Sequence, residues 1–259
     1  LFIGDVSAQP GRETVGNVLP DLKKRLKVDI VAADIENIAH GKGATMDTAR
    51  EVMSYGIDVM TGGNHIWRRK GFEELFESEM PLIRALNYPD DVPGKGYYIA
   101  DLGKKGKVLF ALVQGRSFIQ DNATTDMLRP LDRMLDDVAG EDLSGIVVEV
   151  HAETTSEKIA TGLYLDGRVS AVVGTHTHVP TADERILPNG TAYITDIGMV
   201  GTLNSVLWVE PDIIQQQLKY PFAPAYEVDE SKERRFDAVL LTIDSATSSS
   251  KIERVNKVL

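Results

Sequence analysis

The sequence predicts an α/β protein, a core sheet covered by helices. Short apolar runs, rich in β-branched residues and bounded by Gly, Asp or Thr, recur along the chain. Amphipathic stretches of helical period lie between several of them. Hydrophobic residues make up 42% and charged residues 26% of 259 residues, which suits an ordinary soluble core. With no internal repeat and no long linker, residues 1–259 are expected to form one domain.

The elements follow in order. "LFIGD" (1–5) is the first strand, and "GRETVGNVLPDLKKRLK" (11–27) is a helix with Val15, Val18, Leu19, Leu22 and Leu26 on one stripe. "VDIVAAD" (28–34) is a strand. "TMDTAREVMSYG" (45–56) is a helix closed by Gly56 as its C-terminal cap. "IDVMTGG" (57–63) is the third strand, and "NYPDDVPGKGYY" (87–98) is a Pro/Gly-rich excursion. "KVLFALV" (107–113), "GIVVEV" (145–150), "VSAVVGT" (169–175) and "TAYITD" (191–196) complete the buried strands. Between them "TTDMLRPLDRMLDDVAG" and "TSEKIATGLYLDG" are helical, the second with a partial capping box from Thr154 or Thr155. "RRFDAVLLTID" and "KIERVNKVL", split by the polar "SATSSS", form an antiparallel pair at the end.

Charge and composition exclude several classes. The formal net charge of -11 opposes extensive binding to nucleic acid or acidic membranes, although a small phosphate pocket remains compatible with it. There is no cysteine, which rules out disulfides, thiolate metal sites and cysteine nucleophiles. No apolar stretch approaches a membrane-spanning length. No signal-type segment precedes Leu1, so a cytoplasmic enzyme is expected.

Ligand-type residues fall at the strand ends with unusual regularity. Asp5 closes the first strand, Glu36 and Asn37 follow the second, and Asn64 and His65 follow the third. His151 follows "GIVVEV", and His176 and His178 follow "VSAVVGT". Taken singly, an Asp after a strand is most simply a turn or cap residue. "ENIAHGKG" and "GNH" can each be plain loops. The "HTH" pair is different, because a period of two puts both rings on one side of an extended segment. If the strands pack side by side, these groups converge on one rim. Imidazole, carboxylate and amide donors suit Mn, Fe or Zn, and together exceed the needs of one tetrahedral ion. Two ions sharing a carboxylate would use them fully, the usual arrangement for in-line displacement at phosphorus.

"GDV", "GGNHIW", "VEVHAETTSEK" and "GTHTHVPTADERILPNGTAYITDIGM" together resemble the calcineurin-like metallophosphoesterases. More closely, residues 1 to about 205 resemble the YmdB-type branch, described as 2′,3′-cyclic-nucleotide 2′-phosphodiesterases. The resemblance implies a four-layer α/β/β/α sandwich of two mixed sheets. It implies that Asp5, Glu36 and His178 hold a first metal, with Glu36 bridging. Asn37, Asn64, His151 and His176 would complete a second site, with iron or manganese as the metals and zinc as a further option. His65 would be the general acid. The branch also implies a homo-oligomer. This chain departs from the pattern in three places. Ser7 stands where the wider superfamily has a histidine, a loss the branch shares, using Glu36 instead. Asp34 and Ile35 stand where many relatives have Asn-Gly. "VGTLNSVLWV" replaces a Gly-Pro turn beside the expected substrate pocket.

The implied reaction is in-line attack of a metal-bound hydroxide on a small phosphodiester, a 2′,3′-cyclic nucleotide, with His65 protonating the leaving oxygen. Arg116 and Lys42 are candidates to neutralise charge on the phosphoryl oxygens, with a structural surface role equally open for Arg116. Thr177 should point away from the metals. Glu153, Thr155 and Ser156 are candidates to orient His151. Two alternatives stand beside this. A (β/α)₈ amidohydrolase also uses a His-x-His pair, but on its first strand, where this chain offers only Asp5. A non-enzymatic, metal-stabilised regulatory protein could keep the same fold.

Overall fold

The apolar runs become strands where the sequence places them, most of them shorter than the runs themselves. A computed structural model describes residues 1–119, 124–222 and 224–259. The chain runs β1 (Phe2–Ile3), β2 (Asp5–Val6), α1 (Ala8–Leu26), β3 (Ala32–Asp34), α2 (Met46–Ser54), β4 (Val59–Gly62), α3 (Phe72–Glu77), β5 (Leu82–Arg84), β6 (Tyr97–Asp101) and β7 (Lys107–Gln114). It continues α4 (Leu128–Asp137), β8 (Leu143–His151), α5 (Thr155–Leu165), β9 (Ala171–Thr175), β10 (Arg185–Ile186), β11 (Ala192–Ile194), β12 (Met199–Thr202), α6 (Pro211–Lys219), β13 (Arg234–Ser245) and β14 (Ser248–Val258).

Among the described residues these strands form two mixed sheets. The first has the order β2-β12-β13-β1-β3-β4-β5, with β14 paired to β13. The second has the order β10-β11-β9-β8-β7-β6. β1, β3, β4 and β5 are parallel, and so are β7, β8, β9 and β11. The C-terminal pair is antiparallel as expected, but β13 lies inside the first sheet, between β12 and β1. The excursion at 87–98 ends in a strand, because β6 pairs antiparallel with β7.

Three apolar clusters define the layers. Val15, Val18, Leu19 and Leu22 of α1, with Ala49 and Val52 of α2, pack on one face of the first sheet. Phe2, Ala32 and Val59 of the first sheet meet Phe110, Val147 and Val173 of the second. Leu131 and Met134 of α4, with Leu165 of α5, cover the outer face of the second sheet. The result is the α/β/β/α sandwich, four layers whose buried faces are apolar on both sides of each sheet.

Local chemistry sets the helix ends. α1 starts at Ala8, earlier than the periodicity suggests, and carries Pro20 on its exposed face. α2 has the capping box, formed reciprocally by Thr45 and Thr48, and Gly56 follows it with φ 106°. α5 begins after Thr154, whose side chain makes no cap hydrogen bond and instead donates to Glu157 Oε2 at 2.8 Å. No helix of the described residues is long and apolar enough to cross a membrane.

Candidate metal centre

Both sheets deliver their ligand-type side chains to one rim, at the carboxyl ends of the parallel strands. Asp5 lies on β2, Glu36 and Asn37 follow β3, and Asn64 and His65 follow β4. His151 ends β8, and His176 and His178 follow β9. Asp5, Glu36, Asn37, His151 and His178 are buried, while Asn64, His65 and His176 are half-buried.

The side chains meet. Glu36 Oε1 lies 3.4 Å from His151 Nε2 and 3.2 Å from His65 Nδ1. Glu36 Oε2 accepts from the His65 backbone N–H at 2.6 Å. Asp5 Oδ1 is 3.3 Å from His178 Nε2, and Asp5 Oδ2 accepts from the His176 backbone N–H at 3.1 Å. His151 Nε2 is 3.1 Å from both Asn64 Oδ1 and His176 Nδ1. Asn37 turns Nδ2 toward Asp5, Glu36 and His178, while its Oδ1 is 2.8 Å from His65 Nδ1. Glu36, His151 and His176 bring ligand atoms within 4.8 Å of one another, and so do Asp5, Asp34 and His151.

The tautomers can be worked out from donors and acceptors. Thr175 donates its single hydroxyl proton to Glu149 Oε1 at 2.6 Å, so it accepts from His151 Nδ1 at 3.0 Å. A neutral His151 therefore turns a lone pair on Nε2 toward Glu36 Oε1, Asn64 Oδ1 and His176 Nδ1. His176 directs Nε2 at Glu153 Oε2, 3.1 Å away, which leaves its Nδ1 a lone pair as well. With His151 neutral, as a metal ligand must be, two imidazole lone pairs and two oxygens face one another; with His151 protonated, its Nε2–H donates into the same cluster. That donor set fits a cation of the Mn, Fe or Zn type. The buried Nδ1 of His178 has no hydrogen-bond partner among the described residues.

The electrostatics agree. Burial disfavours the Glu36 carboxylate, but the neighbouring His151 and His65 outweigh it and hold its carboxyl well below the usual range. Burial likewise opposes Asp5, and His178 prevails, lowering it. Burial and the charge of His151 push His176 down to about 3. His151 moves the other way. Burial lowers it, yet Glu36 and Asp34 raise it well above its ordinary value, so the potential that would gather a cation also holds a proton.

The "HTH" geometry corrects the sequence expectation. β9 stops at Thr175, and His176 and His178 take left-handed backbone angles, φ 88° and 62°. The rings converge through two left-handed residues rather than through strand alternation. Thr177 does face away from the rings, donating to Asp196 Oδ2 at 2.6 Å.

Other candidates lie elsewhere. Glu153 contacts His176, while Thr155 and Ser156 are exposed in the first turn of α5, so none of the three orients the buried His151. That task falls to Thr175 and to Asp34, whose Oδ2 is 3.1 Å from His151 Nδ1. Burial, with the charges of Asp5 and Glu149, pushes Asp34 well above the carboxylate range. The sequence signal for these groups was available: Glu149 and His151 are two apart in one strand and share a face. Arg116 is exposed two residues beyond β7, its backbone N–H donating to Glu157 Oε1 at 2.9 Å. Lys42 lies over the Tyr226 ring at 5.2 Å, in a loop packed by Trp208 on Gly41.

The profile of the YmdB-like protein family matches residues 1–255. The chain belongs to that family. It is 40% identical over 257 residues to the 2′,3′-cyclic-nucleotide 2′-phosphodiesterase of Bacillus subtilis, covering 98% of this chain and 95% of that one. It is 38% identical to a putative phosphatase/phosphodiesterase of Mycoplasma genitalium, over 82% of this chain and 75% of that one. Among solved structures, a phosphatase from Mycoplasma pneumoniae superimposes with a TM-score of 0.91 at 31% identity, covering 99% of this chain and 92% of that one. The YmdB-like fold and the convergence of donors thus agree with the resemblance seen in the motifs.

Proposed function

We propose that this YmdB-like protein is a metal-dependent phosphodiesterase that hydrolyses 2′,3′-cyclic nucleotides, working as one domain around two ions of iron or manganese. The observation that carries this is the convergence of His151 Nε2 and His176 Nδ1, 3.1 Å apart, with Glu36 Oε1 and Asn64 Oδ1 beside them. Asp5, Glu36 and His178 would hold one ion, and Glu36, Asn37, Asn64, His151 and His176 the other. Asn37 would ligate after a half-turn of its amide, which exchanges Oδ1 and Nδ2. Such ions supply Lewis acidity, which makes water nucleophilic near neutral pH and stabilises charge on phosphoryl oxygens.

The chain's own residues do the rest. His65 is anchored to Glu36 through its backbone N–H and Nδ1, which leaves Nε2 to protonate the leaving oxygen. Asp34 and Thr175 hold the His151 ring. Arg116, exposed on the same rim, is the candidate for meeting the phosphoryl oxygens from outside.

The test is turnover of bis-p-nitrophenyl phosphate with Mn, with and without chelator, followed by a panel of cyclic nucleotides. Chelator-sensitive turnover with preference for 2′,3′-cyclic substrates is expected. No turnover on any phosphoester would refute the enzymatic reading. Elemental analysis of protein purified without added metal identifies the ions.

A further inference from the structure

His176 and His178 both adopt left-handed backbone, a conformation that is strained for a residue with a side chain and persists only where its surroundings enforce it. A polar network lies at Thr177, between the two histidines. Asp196, fully buried at the end of β11, accepts four hydrogen bonds. They come from Thr177 Oγ1 at 2.6 Å, the Thr177 backbone N–H at 3.3 Å, Lys158 Nζ at 2.7 Å and the Gly198 backbone N–H at 2.8 Å. Lys158 Nζ lies 3.3 Å from Thr177 Oγ1 as well.

Lys158 is the only lysine buried among the described residues. It falls on the apolar face of α5 with Thr161, Gly162 and Leu165, at the helical spacing where a core residue belongs. Its stem runs past Gly174 of β9, where an added Cβ would stand 2.9 Å from Lys158 Cδ and 1.8 Å from Thr195 O. A buried cation and a buried carboxylate are costly unless each satisfies the other and further hydrogen bonds complete the set, as they do here. None of these groups hydrogen-bonds to a side chain of the donor cluster, and none has a part in the reaction described above. They are the "K" of "HAETTSEK" and the "D" of "AYITD", conspicuous in the sequence and otherwise unused.

We propose that the buried Lys158–Asp196 pair, acting through Thr177, is the positioning device that holds His176 and His178 in the paired left-handed turn from which their imidazoles reach the metal centre. The proposal rests on the metal-centre reading. Thr177 is a positioning residue: it touches no donor atom of the cluster, but its backbone N–H and hydroxyl fix the peptide between the two histidines. Removing the hydroxyl frees that peptide to relax and moves both rings.

The test compares Thr177→Val, which keeps shape and loses the hydroxyl, with Thr177→Ser, which restores it. Chelator-stripped proteins are titrated calorimetrically with Mn²⁺, and the folding of each metal-free variant is checked by circular dichroism and its melting temperature. Thr177→Val should bind Mn²⁺ about 10- to 100-fold more weakly, the usual cost of losing a group that orients a ligand. Thr177→Ser should stay close to wild type. If Thr177→Val does not fold, Asp196→Asn, measured in the same way, is expected to show the same loss. Wild-type affinity in the folded Val variant overturns the proposal and leaves the metal centre standing, and equal weakening by Ser overturns the role of the hydroxyl. A wild-type protein that binds no Mn²⁺ overturns the metal reading and this proposal together.

Discussion

Gly63→Ala tests the centre without touching a ligand. A Cβ on Gly63 would lie 2.3 Å from His151 Nε2, 2.4 Å from its Cε1 and 2.5 Å from its Cδ2. An ordinary contact is about 3.5 Å, so the ring must retreat by about 1 Å. It has little room to do so. His151 is fully buried, with Thr175 hydrogen-bonded at Nδ1 and Asp34 Oδ2 3.1 Å from the same nitrogen on its far side. Overpacking of this kind costs about 1–3 kcal/mol of stability. The functional cost is larger, because a 1 Å misplacement at a reacting site lowers turnover by about 100-fold. The expected result is a folded protein with a modestly lower melting temperature, weakened Mn²⁺ binding by calorimetry and about 100-fold slower hydrolysis of bis-p-nitrophenyl phosphate. Wild-type metal affinity and turnover in Gly63→Ala would show that His151 Nε2 is not a ligand.

Ligand and acid variants separate by their metal content. His65→Ala should keep its metal by elemental analysis and lose about 10²–10⁴-fold in turnover, the range of a general acid. Asp5→Ala or His176→Ala should lose both metal and activity in the same two assays. Away from the centre, hydrogen bonds from Tyr164 and Arg168 hold the Asp132 carboxyl below its usual range. A depressed carboxyl stabilises the fold above its unfolded-state value and loses that contribution as the pH falls through the folded value. The melting temperature of Asp132→Asn should therefore trail wild type at pH 7, and the gap should close in acid.

Much of the molecule was legible because its strands are short, apolar and bounded by breakers, so their ends, and the polar residues at those ends, stand out. Asp5, Glu36, Asn64 and His151 are visible for that reason. The sheet order was not legible. β13 enters between β12 and β1 through pairings such as Phe2 with Val239, a separation that no local pattern encodes. Asp34 and Glu149 escaped because a buried carboxylate within a strand resembles a register departure until its partner is known. For "HTH" the period of two pointed to two rings that do converge on one cluster, but through the wrong geometry, since two left-handed residues can also return both side chains to one side.

The division of donors between the sheets has a consequence for assembly. The candidate donors divide between the sheets: Asp5, Glu36, Asn37 and Asn64 come from the first, and the imidazoles of His151, His176 and His178 from the second. Neither sheet alone carries the whole candidate set. The centre forms only when the apolar faces of Phe2, Val59, Phe110 and Val173 have closed on one another. Metal affinity is in this way coupled to sheet-on-sheet packing, since an ion held by both sheets stabilises the closed sandwich over any state in which they separate.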